Sequence, residues 1–298
     1  MVLDTTKLTI PDQILDPWLG KIQGGSVVST LSQSTPMLFG AGESITFDIG
    51  EAEYVGEGQA KGETDIEVSK FQVGSFKFHK TLRFNQEVLW ADEDHQLRVV
   101  QTILNQLQPK LSRALDFGVL HGVNPLNGAK VSTMPNLDTL ATKSVEYDAA
   151  KAAYVSVDAA DALVLASGYV PRDLALDGML AGRFATARNA QTEQKLYPAM
   201  SLGTAESQLE GHRLSVSDTV GARKQNSGNP LALGYVGDFS AIQWGLQKEL
   251  GLETIEWGDP DGQGDLKRNN QVAFRVEVVY GWGIADEGKP FVRIVDAA

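Results

Sequence analysis

Between residues 44 and 121 the hydrophobic pattern changes period once, and that change outlines a long ribbon followed by a long helix. Ile45, Phe47 and Ile49 alternate with polar residues, the period-two pattern of a half-buried strand. A polar, glycine-bearing stretch over 51–64 interrupts the alternation, which resumes at Ile66 and Val68 and then at Phe76, Phe78, Leu82 and Phe84. Two strands around a polar turn make a ribbon over 43–87, with its turn in 56–62 (GEGQAKG). Gly74 falls where the alternation shifts phase, which predicts a bulge or bend. The period then lengthens: Leu97, Val100, Ile103, Leu104, Leu107, Leu111 and Leu115 form one apolar stripe at helical spacing. The acidic run 92–94 suits the positive end of that helix, and Pro109 predicts a kink about one turn earlier. A two-stranded ribbon is at best marginal alone in water, so this one needs cover that nothing nearby in sequence supplies. The pattern points to a subunit that completes its packing on its neighbours, and to assembly rather than catalysis.

Elsewhere the pieces are shorter. Pro11, Pro17, Gly20, Gly24, Gly25 and Pro36 punctuate residues 1–41, which predicts an extended arm with little core of its own. Turn chemistry in 122–128 (GVNPLNG) closes the long helix. Residues 158–167 predict a short alanine-rich helix, 173–176 a strand and 179–188 another helix. Residues 214–220 and 231–236 read as strands, 241–250 as a strand or short helix, and 259–265 as a turn. Val272, Phe274, Val276, Val278, Tyr280 and Trp282 then alternate across 271–284, and 291–295 makes a last strand. The class is α+β with long antiparallel pieces.

Composition narrows the chemistry. The 298 residues contain no cysteine, which excludes a disulfide framework, thiol catalysis and cysteine-ligated metal. A net charge of −12 argues against tight nucleic-acid binding, which draws its affinity from neutralised phosphates. An acidic surface facing DNA would instead keep it from sticking. No apolar run approaches the roughly 20 residues of a membrane span, and the N-terminus lacks the pattern of a signal peptide. The chain reads as a soluble protein made in the cytosol.

Several motifs come close to chemistry. Residues 283–289 have the spacing of a phosphate-binding loop, but Pro290 stands where a hydroxyl would hold magnesium and no helix follows. A turn between two strands accounts for them. Asp259, Asp261, Gln263 and Gly264 imitate the start of a calcium loop, yet the twelfth position is Asn270, which lacks the required carboxylate. A surface turn is the simpler reading. His79, His95, His121 and His212 show no metal-ligand spacing, and the carboxylates around His95 fit a helix start. No nucleophile elbow is present. Neither a catalytic residue, a cofactor site nor a metal site is therefore assigned.

The order of pieces resembles the major capsid proteins of tailed bacteriophages, the Hong Kong ninety-seven fold family. The resemblance rests on the arm, the ribbon, the helix ending in 114–122 (ALDFGVLHG), a compact middle, and the closing segments 280–286 (YGWGIAD) and 291–294 (FVRI). It implies an N-terminal arm over 1–42, an E-loop ribbon over 43–87 and a peripheral domain with its spine helix over 88–143. An axial domain over 144–245 and the peripheral closing strands over 246–298 complete the set. It further implies self-assembly into hexamers and pentamers of an icosahedral head around packaged double-stranded DNA, touched only weakly and without specificity. Separate scaffolding, portal and decoration proteins are its expected partners, with no membrane involved. The expected location is the virion, after synthesis in the host cytoplasm. Because the arm begins near Met1, a scaffold is expected to be a separate protein.

On that reading Phe71, Val73, Phe76 and Phe78 lie on an adjacent subunit, and Glu51, Glu53, Glu57, Glu63 and Asp65 meet its basic residues. Some members weld subunits through a ribbon lysine and an asparagine. Lys61 and Asn269 or Asn270 occupy comparable places, with a solvated turn as the plainer alternative. Encapsulin-type shells are a second reading, disfavoured by the prolines of the arm. A carboxylate-based hydrolase would leave the ribbon unexplained, and a tail or connector protein would lack the long helix.

Overall fold

A computed structural model describes residues 25–48, 50–62, 66–86, 90, 99–222 and 231–296. Its elements in order are α1 (Val27–Leu31), β1 (Gly42–Asp48), β2 (Glu67–Asn85), α2 (Val99–Asp116), α3 (Leu137–Leu140) and β3 (Lys143–Tyr147). There follow α4 (Tyr154–Leu165), β4 (Asp173–Leu176), α5 (Gly178–Thr186), β5 (Ser207–Leu209), β6 (His212–Val216) and β7 (Leu231–Gly237). β8 (Ile242–Ile255), β9 (Gln271–Ile284) and β10 (Phe291–Asp296) complete the set. The arm before residue 25, the acidic run 92–94, His95 and Leu97 lie outside the described residues.

The strands form two sheets. One is four-stranded and antiparallel throughout, in the order β1-β2-β9-β8. The other is six-stranded and mixed, in the order β3-β10-β7-β4-β6-β5. α2 lies across β2 and β9, and its stripe residues Leu107, Leu111 and Leu115 share a core with Phe78, Val276, Val278, Tyr280 and Trp282. Tyr280 donates its hydroxyl to the Leu111 carbonyl at 3.4 Å. Pro109 sits inside the helix on its exposed side, where a missing N–H is least costly. The helix then widens into a π-turn over Phe117–His121 that ends on Gly122, whose φ of 63° is the left-handed cap glycine favours. α4 and α5 cover the six-stranded sheet over a separate core that includes Val157, Leu174, Leu180, Phe184, Val236 and Ile294.

Three expectations change. Gly74 is not a bulge: pairing with β9 runs without a register shift from Gly74 opposite Trp282 to Asn85 opposite Gln271. The phase shift instead marks a change of partner, because β2 pairs with β1 up to Val73 and with β9 from Gly74. Successive residues of a strand face opposite sides, so Phe71 and Val73 face one way and Phe76 and Phe78 the other. The buried side of β2 switches at Gly74. Secondly, the strands on either side of the 283–289 turn, expected to close the fold as a pair, do not pair with each other: β9 belongs to the four-stranded sheet and β10 to the six-stranded one. The turn between them, Ala285–Gly288, redirects the chain with three successive left-handed residues, Asp286, Glu287 and Gly288 at φ of 49°, 53° and 74°. It is a single distorted 3-10 turn followed by β10 and not by an α-helix, in keeping with the turn reading of 283–289. Lastly, α4 starts at Tyr154 rather than Asp158, so Asp161 sits mid-helix and accepts from the His212 ring at 3.0 Å.

Candidate assembly surface

The segment Tyr280-Gly281-Trp282-Gly283 divides the two sides of the four-stranded sheet. Tyr280 and Trp282 point beneath α2 and are fully buried, with the Trp282 indole N–H donating to the Pro135 carbonyl at 2.9 Å. The glycines leave the opposite side bare. Gly245 lies directly across from Gly281, and a Cβ on it would collide with the Thr35 carbonyl oxygen. A Cβ on Gly281 would stand 2.9 Å from the Met37 sulfur, and one on Gly283 2.8 Å from the Phe71 ring. These glycines form a floor on which two segments rest. Residues 34–40 cross it, tied by Thr35 N–H to the Trp244 carbonyl at 2.7 Å and by the Gln247 amide, which donates to the Gly40 carbonyl at 2.8 Å. The root of the ribbon rests beside them through Phe71.

Beyond that root, β1 and β2 leave the body as a two-stranded ribbon. Phe47 stands opposite Val68 and Ile45 opposite Lys70, all on one side. Ile45, Phe47, Ile66 and Val68 are 47%, 65%, 60% and 53% exposed, so this side is apolar and uncovered within the subunit. The other side carries Ser44, Thr46 and Ser69 outward to the seated Phe71 and Val73.

The residues expected to contact an adjacent subunit therefore fall into two groups. Val73 and Phe78 are buried in this chain, Phe76 packs on Trp282 at 4.0 Å, and Phe71 is half-buried over Gly283. These four are committed to the subunit's own packing, because the aromatic end of β9 and its glycine floor receive them. Glu57 and Lys61 are exposed in the loop, where the Glu53 carboxylate accepts the Gly62 N–H at 3.1 Å; Glu63 and Asp65 lie outside the described residues. The apolar side that is free, Ile45, Phe47, Ile66 and Val68, was legible as two alternating runs flanking one turn. A ribbon has no interior, so its single apolar side must be covered from outside.

Two buried polar clusters tie the end of α2 and the turn after it to α1, α3 and the six-stranded sheet. Asp116, at the end of α2, accepts the Val27 and Val28 N–H groups at 3.0 and 3.1 Å, the Thr219 hydroxyl at 2.6 Å and the Ser26 hydroxyl. A carboxylate thus closes the N-terminus of α1, as a helix dipole favours. Complete burial pushes the pKa of Asp116 up, and these hydrogen bonds only partly offset it. Next to it, His121 contacts the Asp138 carboxylate at 2.8 Å through Nδ1 and the Thr219 carbonyl at 2.9 Å through Nε2. Tyr235 donates to Asp138 at 2.8 Å. Burial works to raise the Asp138 pKa, but the bonds and charges of His121, Tyr235 and Arg293 bring it below the usual carboxylate range. A His–Asp pair invites a catalytic reading, yet the second ring nitrogen meets a backbone carbonyl and not a nucleophile. The pair is a brace. Beside it, a cleft of about 1050 Å³ opens at the ribbon root, edged by Lys70, Lys130, Glu287 and Lys289. Among the described residues no group of three or more His, Asp or Glu is placed to hold a metal.

Comparison with known proteins gives a consistent set of likenesses. The sequence profile described as "Phage capsid family" matches residues 6–296. A solved chain named "Mycobacterium phage Ogopogo" is 36% identical and superposes with a TM-score of 0.79 over 100% of both chains. One named "Gordonia phage Cozz" is 27% identical, with a TM-score of 0.73 over 92% of this chain and 87% of that one. "Capsid of empty GTA particle computed with C5 symmetry" is 15% identical, with a TM-score of 0.62 over 92% and 90%, a likeness of fold. Among curated proteins a sequence search finds no match.

Proposed function

Since this chain belongs to the phage capsid family and is a major capsid protein of the virion, we propose that the uncovered side of its ribbon is what joins one copy to the next. The observation that carries this reading is the apolar set Ile45, Phe47, Ile66 and Val68 on a ribbon whose other side is polar and seated only at its root, through Phe71 and Val73. Covering such a side removes apolar surface from water at about 25 cal/mol per Å², a modest gain per contact that many copies multiply. Modest contacts let subunits dissociate and rejoin until a shell closes. The closed shell is icosahedral, built from hexamers and pentamers, with the six-stranded sheet near the capsomer centres. Glu57 and Lys61 in the loop meet charges of the neighbouring copy.

The net charge of −12 supports a lumen that DNA fills without gripping. Scaffolding, portal and decoration proteins complete the partners, and synthesis takes place in the host cytoplasm. The chain is read as a structural subunit and not an enzyme, a reading that its capsid family supports.

The test is a double variant, Phe47→Asp with Val68→Asp, examined by negative-stain electron microscopy and light scattering. The expected result is a folded subunit with a near-wild-type melting temperature that forms no shells. Shells indistinguishable from wild type, or a subunit that no longer folds alone, would overturn the reading.

A further inference from the structure

The loop at 259–265 (DPDGQGD) imitates a calcium-binding loop in sequence, and the structure places a cation in it. That cation is the guanidinium of Arg83, carried on β2. Its Nε donates to Asp261 Oδ2 at 3.2 Å, and its Nη1 to the Gln263 carbonyl at 3.4 Å and to Gln271 Oε1 at 3.0 Å. Its Nη2 reaches Asp259 Oδ1 at 3.2 Å, the Gly264 carbonyl at 3.0 Å and Asp261 Oδ1. Six oxygens thus converge on one positive group: three carboxylate, two backbone carbonyl and one side-chain amide. This is the donor set, in kind and number, that calcium selects. Gln271 supplies the oxygen that Asn270, at the twelfth position, does not.

The loop's own hydrogen bonds and glycines contribute to this shape. Asp259 accepts the Gln263 and Gly264 N–H groups, both at 2.9 Å, which curls the backbone so that its carbonyls point inward. Gly262 and Gly264 take the left-handed φ values of 76° and 98° that such a curl needs. Arg275 holds the loop from β9, donating to the Pro260 carbonyl at 3.0 Å. Both carboxylates, Asp259 and Asp261, converge on a guanidinium whose side chain is only 10% exposed.

We propose that 259–265 is a cation-binding loop whose resident cation is Arg83, and that calcium takes the same oxygens once the guanidinium is removed. Two carboxylates against one guanidinium leave the socket one charge short of neutral, a shortfall that a dication would close. In the native chain the tethered guanidinium has a high effective concentration and calcium does not displace it. The arrangement pins the far end of β2, the strand that carries the ribbon, to the β8–β9 connection without any free ion. Chelators then leave the native subunit unchanged.

The experiment compares the full chain with Arg83→Ser and Arg83→Gln, both of which remove the charge. Terbium stands in for calcium, and emission sensitised by Trp257, two residues before the loop, reports binding. Either variant is expected to bind terbium at least about 100-fold more tightly than wild type, with calcium competing and raising the variant's melting temperature. Adding Asp261→Asn should abolish both effects. A variant that folds only when calcium is present supports the proposal equally. Folded variants that bind no terbium or calcium, variants that calcium cannot rescue, or wild type binding as tightly as the variants would overturn it.

Discussion

Every residue of β4 in the six-stranded sheet is buried and β7 is buried from Ala232 onward, whereas the start of β2 in the four-stranded sheet leaves the body, with Val68 and the preceding Ile66 in solvent. The first sheet is closed by α4 and α5, and its central strands β4 and β7 are buried almost throughout because both sides are covered. The second is covered by α2 on one side and by residues 34–40 on part of the other, and then it runs out of cover. Its ribbon strands keep the apolar–polar alternation that β4 and β7 have lost. Alternation persists where one side still awaits a partner, so the strand pattern itself separates the self-sufficient half of the subunit from the half completed by other copies.

The largest effect should come from removing the inner finish of the four-stranded sheet. Trp282 is fully buried, packs on Phe76 and Phe78, and hydrogen-bonds Pro135. Trp282→Ala should destabilise the unassembled subunit by about 3–5 kcal/mol, read as a lower urea midpoint at unchanged slope. A loss below about 1 kcal/mol would mean that this side is no better packed than the ribbon, and the contrast between the sheets would fail. A smaller effect is expected at the seat of the ribbon. Gly283→Ala places a methyl 2.6 Å from the Gln72 carbonyl oxygen and against Phe71. It should cost about 1–3 kcal/mol and speed hydrogen exchange over 66–73 while leaving β4 and β7 protected. Unchanged exchange in the ribbon would show that Phe71 does not anchor it.

Much of this was legible in the chain. Periods of two and of 3.6 placed β9, β10, β4, β7 and the described part of the long helix close to where they lie. What periodicity could not tell is which cover a face receives. Phe71 and Phe76 look equally apolar in sequence, but one rests on Gly283 and the other on Trp282, both more than 200 positions away. The sheet to which β10 belongs was hidden for a related reason. A short turn between two strands usually makes a hairpin, and only the left-handed run at 286–288 turns this one elsewhere. Arg83 was invisible as the partner of 259–265 because a cation 176 positions upstream carries no local signal. In each case the missing information is long-range contact, not local propensity.

The smallest predicted effect distinguishes how the two sheets treat a buried carboxylate. In the six-stranded sheet Asp173 is fully buried but answered: Arg213 Nε donates at 2.7 Å and the Phe239 N–H at 2.8 Å. In the four-stranded sheet Glu249 lies on β8 opposite Val278, half-buried, and its Oε1 has no hydrogen-bond partner. Burial alone pushes its pKa up to about 7 from an ordinary 4.5. A folded-state pKa raised above the unfolded one means that the folded chain holds this proton more tightly. Its contribution is therefore favourable at low pH and is lost as pH rises from about 4.5 through 7. Each pKa unit corresponds to about 1.4 kcal/mol, and partial exposure screens the sum to about 1 kcal/mol. Glu249→Gln, neutral at every pH, should thus match wild type near pH 4.5 and exceed it by about 1 kcal/mol near pH 8, measured by urea unfolding of the unassembled subunit. A stability gap that does not change with pH would show that Glu249 finds a partner in solution, and that the four-stranded sheet satisfies its buried charge as fully as its neighbour does.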